Sequence, residues 1–171
     1  MPDRCEITHH ATGPIATVAD VYERDDFGVP SNMFGAVPPD FDGALGRIAA
    51  VGSLLEMRFA VAVAKVLGRH PDQTAGQSVG ALNGLLTDIE LSQGFETLRA
   101  QAVELMGRRN EHIHSLWPSP TEIHAYGWRA VVAKHRTEEG NSAVHITTNL
   151  TDMKALILQL ADVATALRDY S

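Results

Sequence analysis

Residues 41–68 read FDGALGRIAAVGSLLEMRFAVAVAKVLG, and this stretch decides the fold class. Apolar residues recur in it at steps of three and four, which is the period of an amphipathic helix. Gly68 follows the last apolar position, where glycine commonly closes a helix, and Pro71 stands just beyond. The pattern therefore predicts one long helix over 41–68, with Gly52 as a point of weakness or bending. The repeating apolar positions are Leu45, Ile48, Ala49, Leu55, Phe59, Val63 and Val66.

Helical periods continue downstream of this stretch. They predict a second helix over about 74–91 and a third over 94–115. The second carries three glycines four residues apart, which indicates either a stripe for close helix contact or a weak, partly irregular helix. A last helix is predicted over 152–169, capped by Thr151. The three spaced glycines are Gly76, Gly80 and Gly84.

The period changes from about 3.6 to two over residues 126–148. Alternating residues on either side of Gly140-Asn141 predict an antiparallel β-hairpin, packed beside the end of the third helix. The fold class is therefore mainly α, a bundle of about four helices with a hairpin inserted before the last one. The bundle is expected over 41–171, and the proline-rich residues 1–40 are read as an irregular N-terminal arm with a short extended piece at 15–22.

The length of the chain, its single cysteine and its apolar runs limit the class of protein to which it can belong. A chain of 171 residues suits one domain and is long enough to bury a core without disulfides. The single cysteine, Cys5, has no partner for an internal disulfide, which favours a reducing, cytoplasmic setting. We expect no secretory signal and no membrane span, because neither a basic leader with an apolar run nor about 18 consecutive apolar residues occurs.

The charge is unevenly distributed along the chain. The net charge of −7 argues against a general nucleic-acid binder, since such affinity comes mostly from neutralising phosphates. Residues 1–42 hold eight acids and two bases, whereas residues 99–136 hold six bases, three acids and four of the eight histidines. The basic, histidine-rich stretch is either an ordinary surface or the place where an anionic ligand binds.

That stretch contains the candidate chemistry. The chain has no glycine-rich phosphate loop, no cysteine pairs for zinc and no Gly-x-Ser-x-Gly elbow. It does have Arg109-Asn110-Glu111-His112-Ile113-His114 at the predicted end of the third helix. Asn110 and His114 lie one turn apart on the same face, and Arg109 lies about 140° from His114 around the helix.

Arg109, Asn110 and His114 match the pattern of the HEPN domains in residue type, order and spacing. These helical bundles carry Arg-x4–6-His, often with asparagine directly after the arginine. The sequence resembles this family in architecture over about 41–170 and in detail only over the short motif. It departs from the family in the inserted hairpin, and in having Leu116 where some toxin members carry a tyrosine two residues after the histidine.

The resemblance implies a metal-independent endoribonuclease, with a role in toxin–antitoxin or phage-defence systems. Arg109, Asn110 and His114 are then the expected catalytic residues. The implied partners are a second copy of the chain, an RNA substrate and an antitoxin or defence protein, with no cofactor and no metal. The expected substrate-binding residues are Arg108, His112 and Arg129.

Other interpretations of the same residues stay open at this point. Arg109 could anchor the carboxylate of Glu56, and His114 could serve only to favour the helix C-terminus. A metal site would need His112 and His114 together, but residues two apart point to opposite sides of a helix. A non-catalytic module that binds a nucleotide or a protein in the same cleft is the alternative function.

Overall fold

The computed structural model describes Arg24 and residues 39–115, 117, 125–131 and 142–170. The arm over 1–40, with its expected extended piece, lies outside these ranges apart from Arg24 and the first residues of a helix. Residues Phe34–Ser171 belong to one compact unit, which is a mainly helical bundle. Its helices are α1 (Pro39–Val66), α2 (Val79–Gly84), α3 (Gln93–Ile113) and α4 (Leu150–Leu167), and its strands are β1 (Ala125–Val131) and β2 (Ser142–Thr148).

Helix α1 confirms the long helix expected from the opening stretch, and at 28 residues it is about 42 Å long. It ends as the sequence predicts. Gly68 has a φ of +63°, its N–H donates to the carbonyl of Lys65 at 3.1 Å, and Arg69 N–H donates to that of Ala64 at 2.8 Å. This pair of bonds satisfies carbonyls that a helix end otherwise leaves free. The large side chains buried on α1 are Phe41, Ile48, Leu55, Phe59 and Val63.

The second helix predicted over 74–91 is wrong in length. Only Val79–Gly84 is helical, after a 3-10 turn at Pro71–Gln73. Gly76 has a φ of +72°, so it lies in a turn rather than a helix. No neighbouring atom lies within 4 Å of a Cβ built at Gly84. The glycines therefore serve turns and a short helix, and they do not form a stripe of close contact.

Helices α3 and α4 confirm the third and the last predicted helix, but the residue that caps the start of α4 is not the predicted one. Ser92 begins α3 by accepting the Phe95 N–H at 3.4 Å. Helix α4 begins two residues earlier than expected, because Asn149 rather than Thr151 is the cap, its Oδ1 accepting the Asp152 N–H at 2.9 Å. The apolar residues buried on α4 recur at steps of three and four and include Met153, Leu156, Leu160, Val163 and Leu167.

The three long helices pack around one core, with α1 antiparallel to α3 and parallel to α4. Phe59 in the second half of α1 stacks on Phe95 near the start of α3, with ring centroids 6.4 Å apart. Arg58 Nη1 donates to the carbonyl of Ala164 near the end of α4, at 2.7 Å. The start of α1, the end of α3 and the start of α4 consequently meet at one end of the bundle.

Strands β1 and β2 form the antiparallel pair that the change of period predicts, with Ala125 opposite Thr148 and Val131 opposite Ser142. The connecting residues 132–141 lie outside the described ranges, so the expected turn at Gly140-Asn141 does too. Thr148 Oγ1 lies 3.2 Å from Nε2 of His112. This contact places the end of β2 beside the end of α3, as predicted from the sequence. Within the described part of the chain, no helix combines the length and apolar character needed to cross a membrane.

Candidate active site

The candidate site lies where α3 ends. His114 is the last residue of the helical hydrogen-bond pattern, and its N–H donates to the carbonyl of Asn110 at 3.0 Å. Its own backbone has left the helical region, with φ −97° and ψ 8°. The indole Nε1 of Trp117 donates to the carbonyl of His112 at 2.9 Å. A helix end leaves such carbonyls unpaired, so Trp117 closes α3 from beyond its last turn.

Asn110 connects the other two residues of the motif. Its side-chain Oδ1 accepts a hydrogen bond of 2.9 Å from Nη1 of Arg109, and its carbonyl accepts the N–H of His114. Arginine can only donate, so this bond assigns the amide oxygen, and not the amide nitrogen, to the side facing Arg109. Arg109 and Asn110 are both half-buried. The arrangement fixes the guanidinium against the helix end from which His114 projects.

The Arg109 side chain lies across α1 at Gly52, which is buried. A Cβ built with ideal geometry on Gly52 would lie 2.9 Å from Cγ, 3.0 Å from Nε and 3.3 Å from Cδ of Arg109. The Nε of Arg109 is buried without a hydrogen-bond partner. Within the described ranges, the guanidinium makes its hydrogen bond through Nη1, and Nη2 makes none.

His114 is exposed, and its imidazole makes no hydrogen bond to any residue in the described ranges. Within those ranges no hydrogen bond joins its ring to the Arg109 guanidinium. One chain therefore offers an arginine bound to Asn110 and, five residues further on, an exposed histidine.

His112, expected to bind substrate, belongs instead to the core. It is 9% exposed, and both ring nitrogens are engaged. Nδ1 lies 2.8 Å from the carbonyl of Arg108, which can only accept, so Nδ1 carries a hydrogen. In the neutral ring Nε2 then accepts from the hydroxyl of Thr148 at 3.2 Å. His112 also packs on Trp117, whose ring meets Phe41 edge to face at 5.7 Å. His112 thus ties the ends of α3 and β2 to the start of α1.

The other two expected substrate-binding residues lie apart from the motif. Arg108 Nη1 donates to Oε1 of Gln159 on α4 at 2.7 Å, beside a cavity of about 380 Å³ between α3 and α4. Glu104 and Asp162 also line that cavity, so its charge is mixed. The Arg129 side chain lies outside the described residues. Its backbone pairs with Val144, four residues along the strands from Thr148, or about 13 Å.

The alternatives from the sequence can be compared with these contacts. Arg109 and Glu56 are both described, and no ion pair joins them. Within the described ranges no group of three His, Cys, Asp or Glu side chains is placed to hold a metal ion.

Sequence reasoning missed Gly52, Trp117 and Thr148 as parts of this end of the bundle. Gly52 carried one usable signal, because a glycine inside a strongly helical stretch often marks a close approach by another group. No local sequence signal marked Trp117 or Thr148, because their roles depend on how elements far apart in sequence pack together. Comparisons of the chain with protein-family models, with curated proteins and with solved structures found no match.

Proposed function

We propose that this protein is a metal-independent endoribonuclease whose catalytic residues are Arg109, Asn110 and His114. One observation carries the proposal. Asn110 binds the Arg109 guanidinium through its side chain and the His114 backbone through its carbonyl, so a held cation and an exposed imidazole lie at the same end of α3. A cation and an imidazole are groups that RNA transesterification uses, and the resemblance to HEPN domains rests on the same three residues.

The chemistry follows from the two groups. The imidazole of His114 takes the proton from a ribose 2′-hydroxyl, since histidine exchanges protons near neutral pH. The 2′-oxygen then forms a bond to the adjacent phosphorus, and the bond from phosphorus to the 5′-oxygen breaks. A second acid protonates the leaving 5′-oxygen, which yields a 2′,3′-cyclic phosphate and a free 5′-hydroxyl. Arg109 donates hydrogen bonds to the phosphate as charge builds on its oxygens.

A second copy of the chain would supply the acid. One His114 cannot act as base and acid in the same step, and His112 is held in the core. A homodimer with two motifs facing one cleft provides both imidazoles, and a two-fold axis repeats each contact. By resemblance, we place the activity in a toxin–antitoxin or phage-defence system with a protein partner that restrains it.

A second candidate function is a non-catalytic module that binds a nucleotide or a partner protein at the same helix end. It is favoured by the net charge of −7 and by the way Arg109 packs on Gly52. A guanidinium used only to bind needs no neighbouring imidazole at reacting distance. In this alternative His114 makes no contribution to proton transfer.

The experiment is incubation of the purified protein with tRNA and with total RNA in EDTA, beside the His114→Ala variant. We expect wild-type protein to cut RNA into fragments with 2′,3′-cyclic phosphate ends, and the variant to leave the RNA intact. A substrate with 2′-deoxyribose throughout is the matched control, because it lacks the nucleophile and should not be cut. Intact RNA under all conditions, with nucleotide-dependent shifts in the NMR signals of the motif, would favour the binding module.

A further inference from the structure

Gly52 is the glycine of α1 at which a side chain from another helix lies in the space that a Cβ would fill. A Cβ at Gly43 or Gly46, on the same helix, would meet nothing within 4 Å. At Gly52 the three nearest heavy atoms all belong to Arg109, and the closest two lie at 2.9 and 3.0 Å. Side chains essentially never approach so closely. Any residue other than glycine at this position therefore has to displace Arg109.

Arg109 is held at two points as a result. Its stem lies in the gap at Gly52, and its tip donates to Asn110. Between them Nε is shut off from solvent without a partner, which is an unfavourable place for a donor. A guanidinium free to turn would bring Nε to water. The stem at Gly52 and the bond to Asn110 are thus the two attachments that hold this side chain.

We infer that Gly52 is a positioning residue for Arg109: by having no side chain, it lets the arginine stem lie across α1 while Asn110 holds the tip, so that the guanidinium is fixed in place for an anionic ligand. Its consequence for catalysis rests on the proposed ribonuclease function. A positioned arginine needs no reorganisation when a phosphate arrives, and preorganised donors contribute most to stabilising a charged transition state. A Cβ at position 52 would remove that advantage without removing the charge.

The first test needs no activity. In a proton–nitrogen NMR spectrum, the buried Nε–H of Arg109 should give a signal that exchanges slowly with water, and Arg109→Lys identifies it by its loss. Gly52→Ala should move or broaden that signal. Gly43→Ala and Gly107→Ala are the matched controls, because each adds the same methyl to a helix where it meets nothing, and they should leave the signal in place. An unchanged signal in Gly52→Ala overturns the inference.

The second test uses RNA cleavage. Gly52→Ala should lower kcat by roughly 10²–10³-fold, as loss of a preorganised donor does, while both control variants keep wild-type rates. In an Arg109→Ala background Gly52→Ala should cost nothing further, since the clashing atoms are gone. If the two losses multiply, Gly52 acts through something other than Arg109 and the inference falls.

Two results distinguish failure of this inference from failure of the proposed function. If wild-type protein does not cut RNA, the ribonuclease proposal fails, and the Arg109 signal still decides whether Gly52 positions the side chain. If Gly52→Ala is poorly folded, Gly52→Ala/Arg109→Ala should regain the melting temperature of Arg109→Ala alone. Failure to regain it shows that the methyl clashes elsewhere and overturns the inference.

Discussion

The Nη1 of Arg109 donates to the side-chain oxygen of Asn110 at 2.9 Å, so two adjacent residues of one helix bind each other through their side chains. Neighbours in a helix diverge by about 100° around its axis, and only a long side chain that bends back can make this bond. The gap at Gly52 permits that bend. The Arg109–Asn110 pair therefore depends on α1 as well as on α3, and substitutions at its individual residues can test each contribution.

Replacing His114 should abolish activity and spare the fold. His114→Ala removes the proton-transfer group, which should lower the cleavage rate by roughly 10²–10⁴-fold. Because the side chain is exposed and makes no hydrogen bond within the described ranges, the melting temperature should stay close to that of the wild type. Single-turnover cleavage and calorimetry on the same preparations measure both. Retention of near-wild-type cleavage would contradict the assignment of His114.

Asn110 allows a sharper test of how Arg109 is used. Asn110→Asp keeps the shape and replaces the neutral acceptor with a carboxylate, which should bind Arg109 more strongly. The melting temperature should hold or rise, whereas cleavage should fall further than in Asn110→Ala, because the added anion repels phosphate. Asn110→Ala should lose less activity than Arg109→Ala, since it removes the orienting group and keeps the charge. Higher activity in Asn110→Asp than in Asn110→Ala would contradict this account.

His112 should behave in the opposite way to His114. His112→Phe keeps an aromatic ring beside Trp117 but leaves the Arg108 carbonyl and the Thr148 hydroxyl without their partner. Buried groups left unpaired cost about 1–3 kcal/mol in the free energy of unfolding, measurable by urea denaturation. Thr148→Val should cost less, and the double variant should cost less than the sum because both lose the same bond. Strict additivity would show that the two side chains do not interact.

Substituting glycine should have opposite effects within α1 and in the turn that follows it. Gly68→Ala forces a Cβ into the left-handed region at φ +63° and should destabilise the protein by about 1–2 kcal/mol. Gly43→Ala, within the helix and in open space, should stabilise it by about 0.5–1 kcal/mol. Chemical denaturation of both variants checks the sign. A stabilising Gly68→Ala would mean that the turn after α1 is not what closes it.

The proposed composite site requires a dimer. Light scattering should return twice the chain mass at about 100 μM, a concentration at which even a micromolar Kd leaves most chains paired. Mixing wild-type with His114→Ala chains is an independent check: a mixed dimer keeps only one of the two imidazoles, so activity should fall more steeply than the fraction of wild-type chains if the site is shared. A monomer at every concentration would remove the shared-site mechanism.

The sequence predicted those elements whose signals are local. Helix α1, its closure at Gly68 and the inner face of α4 follow from period and capping chemistry, and the strand pair follows from the change of period. The prediction of the second helix was wrong because Gly76 adopts a positive φ and the apolar repeat that follows is weak. The start of α4 was misplaced because Asn149 and Thr151 are both good caps and only packing chooses between them.

The site was predictable only in part, for a different reason. The motif placed Arg109, Asn110 and His114 correctly at a helix end, but their contacts depend on registers that no local pattern encodes. Gly52 and Arg109 are far apart in sequence and meet because α1 and α3 are antiparallel. His112 is buried because Thr148 and Trp117 happen to lie around it, although a histidine near a helix end is commonly exposed.

The parallel packing of α1 and α4 has a consequence for how the chain is made. Arg58 and the Ala164 carbonyl that it binds are separated by 106 residues, so the inner face of α1 is synthesised long before the helix that covers most of it. On the ribosome, α1 and α3 can meet, but the apolar side of α1 stays uncovered until Leu150–Leu167 has emerged. A chain interrupted before that point would expose this surface to aggregation and to proteases. Any activity that depends on the complete bundle can begin only once synthesis has passed α4.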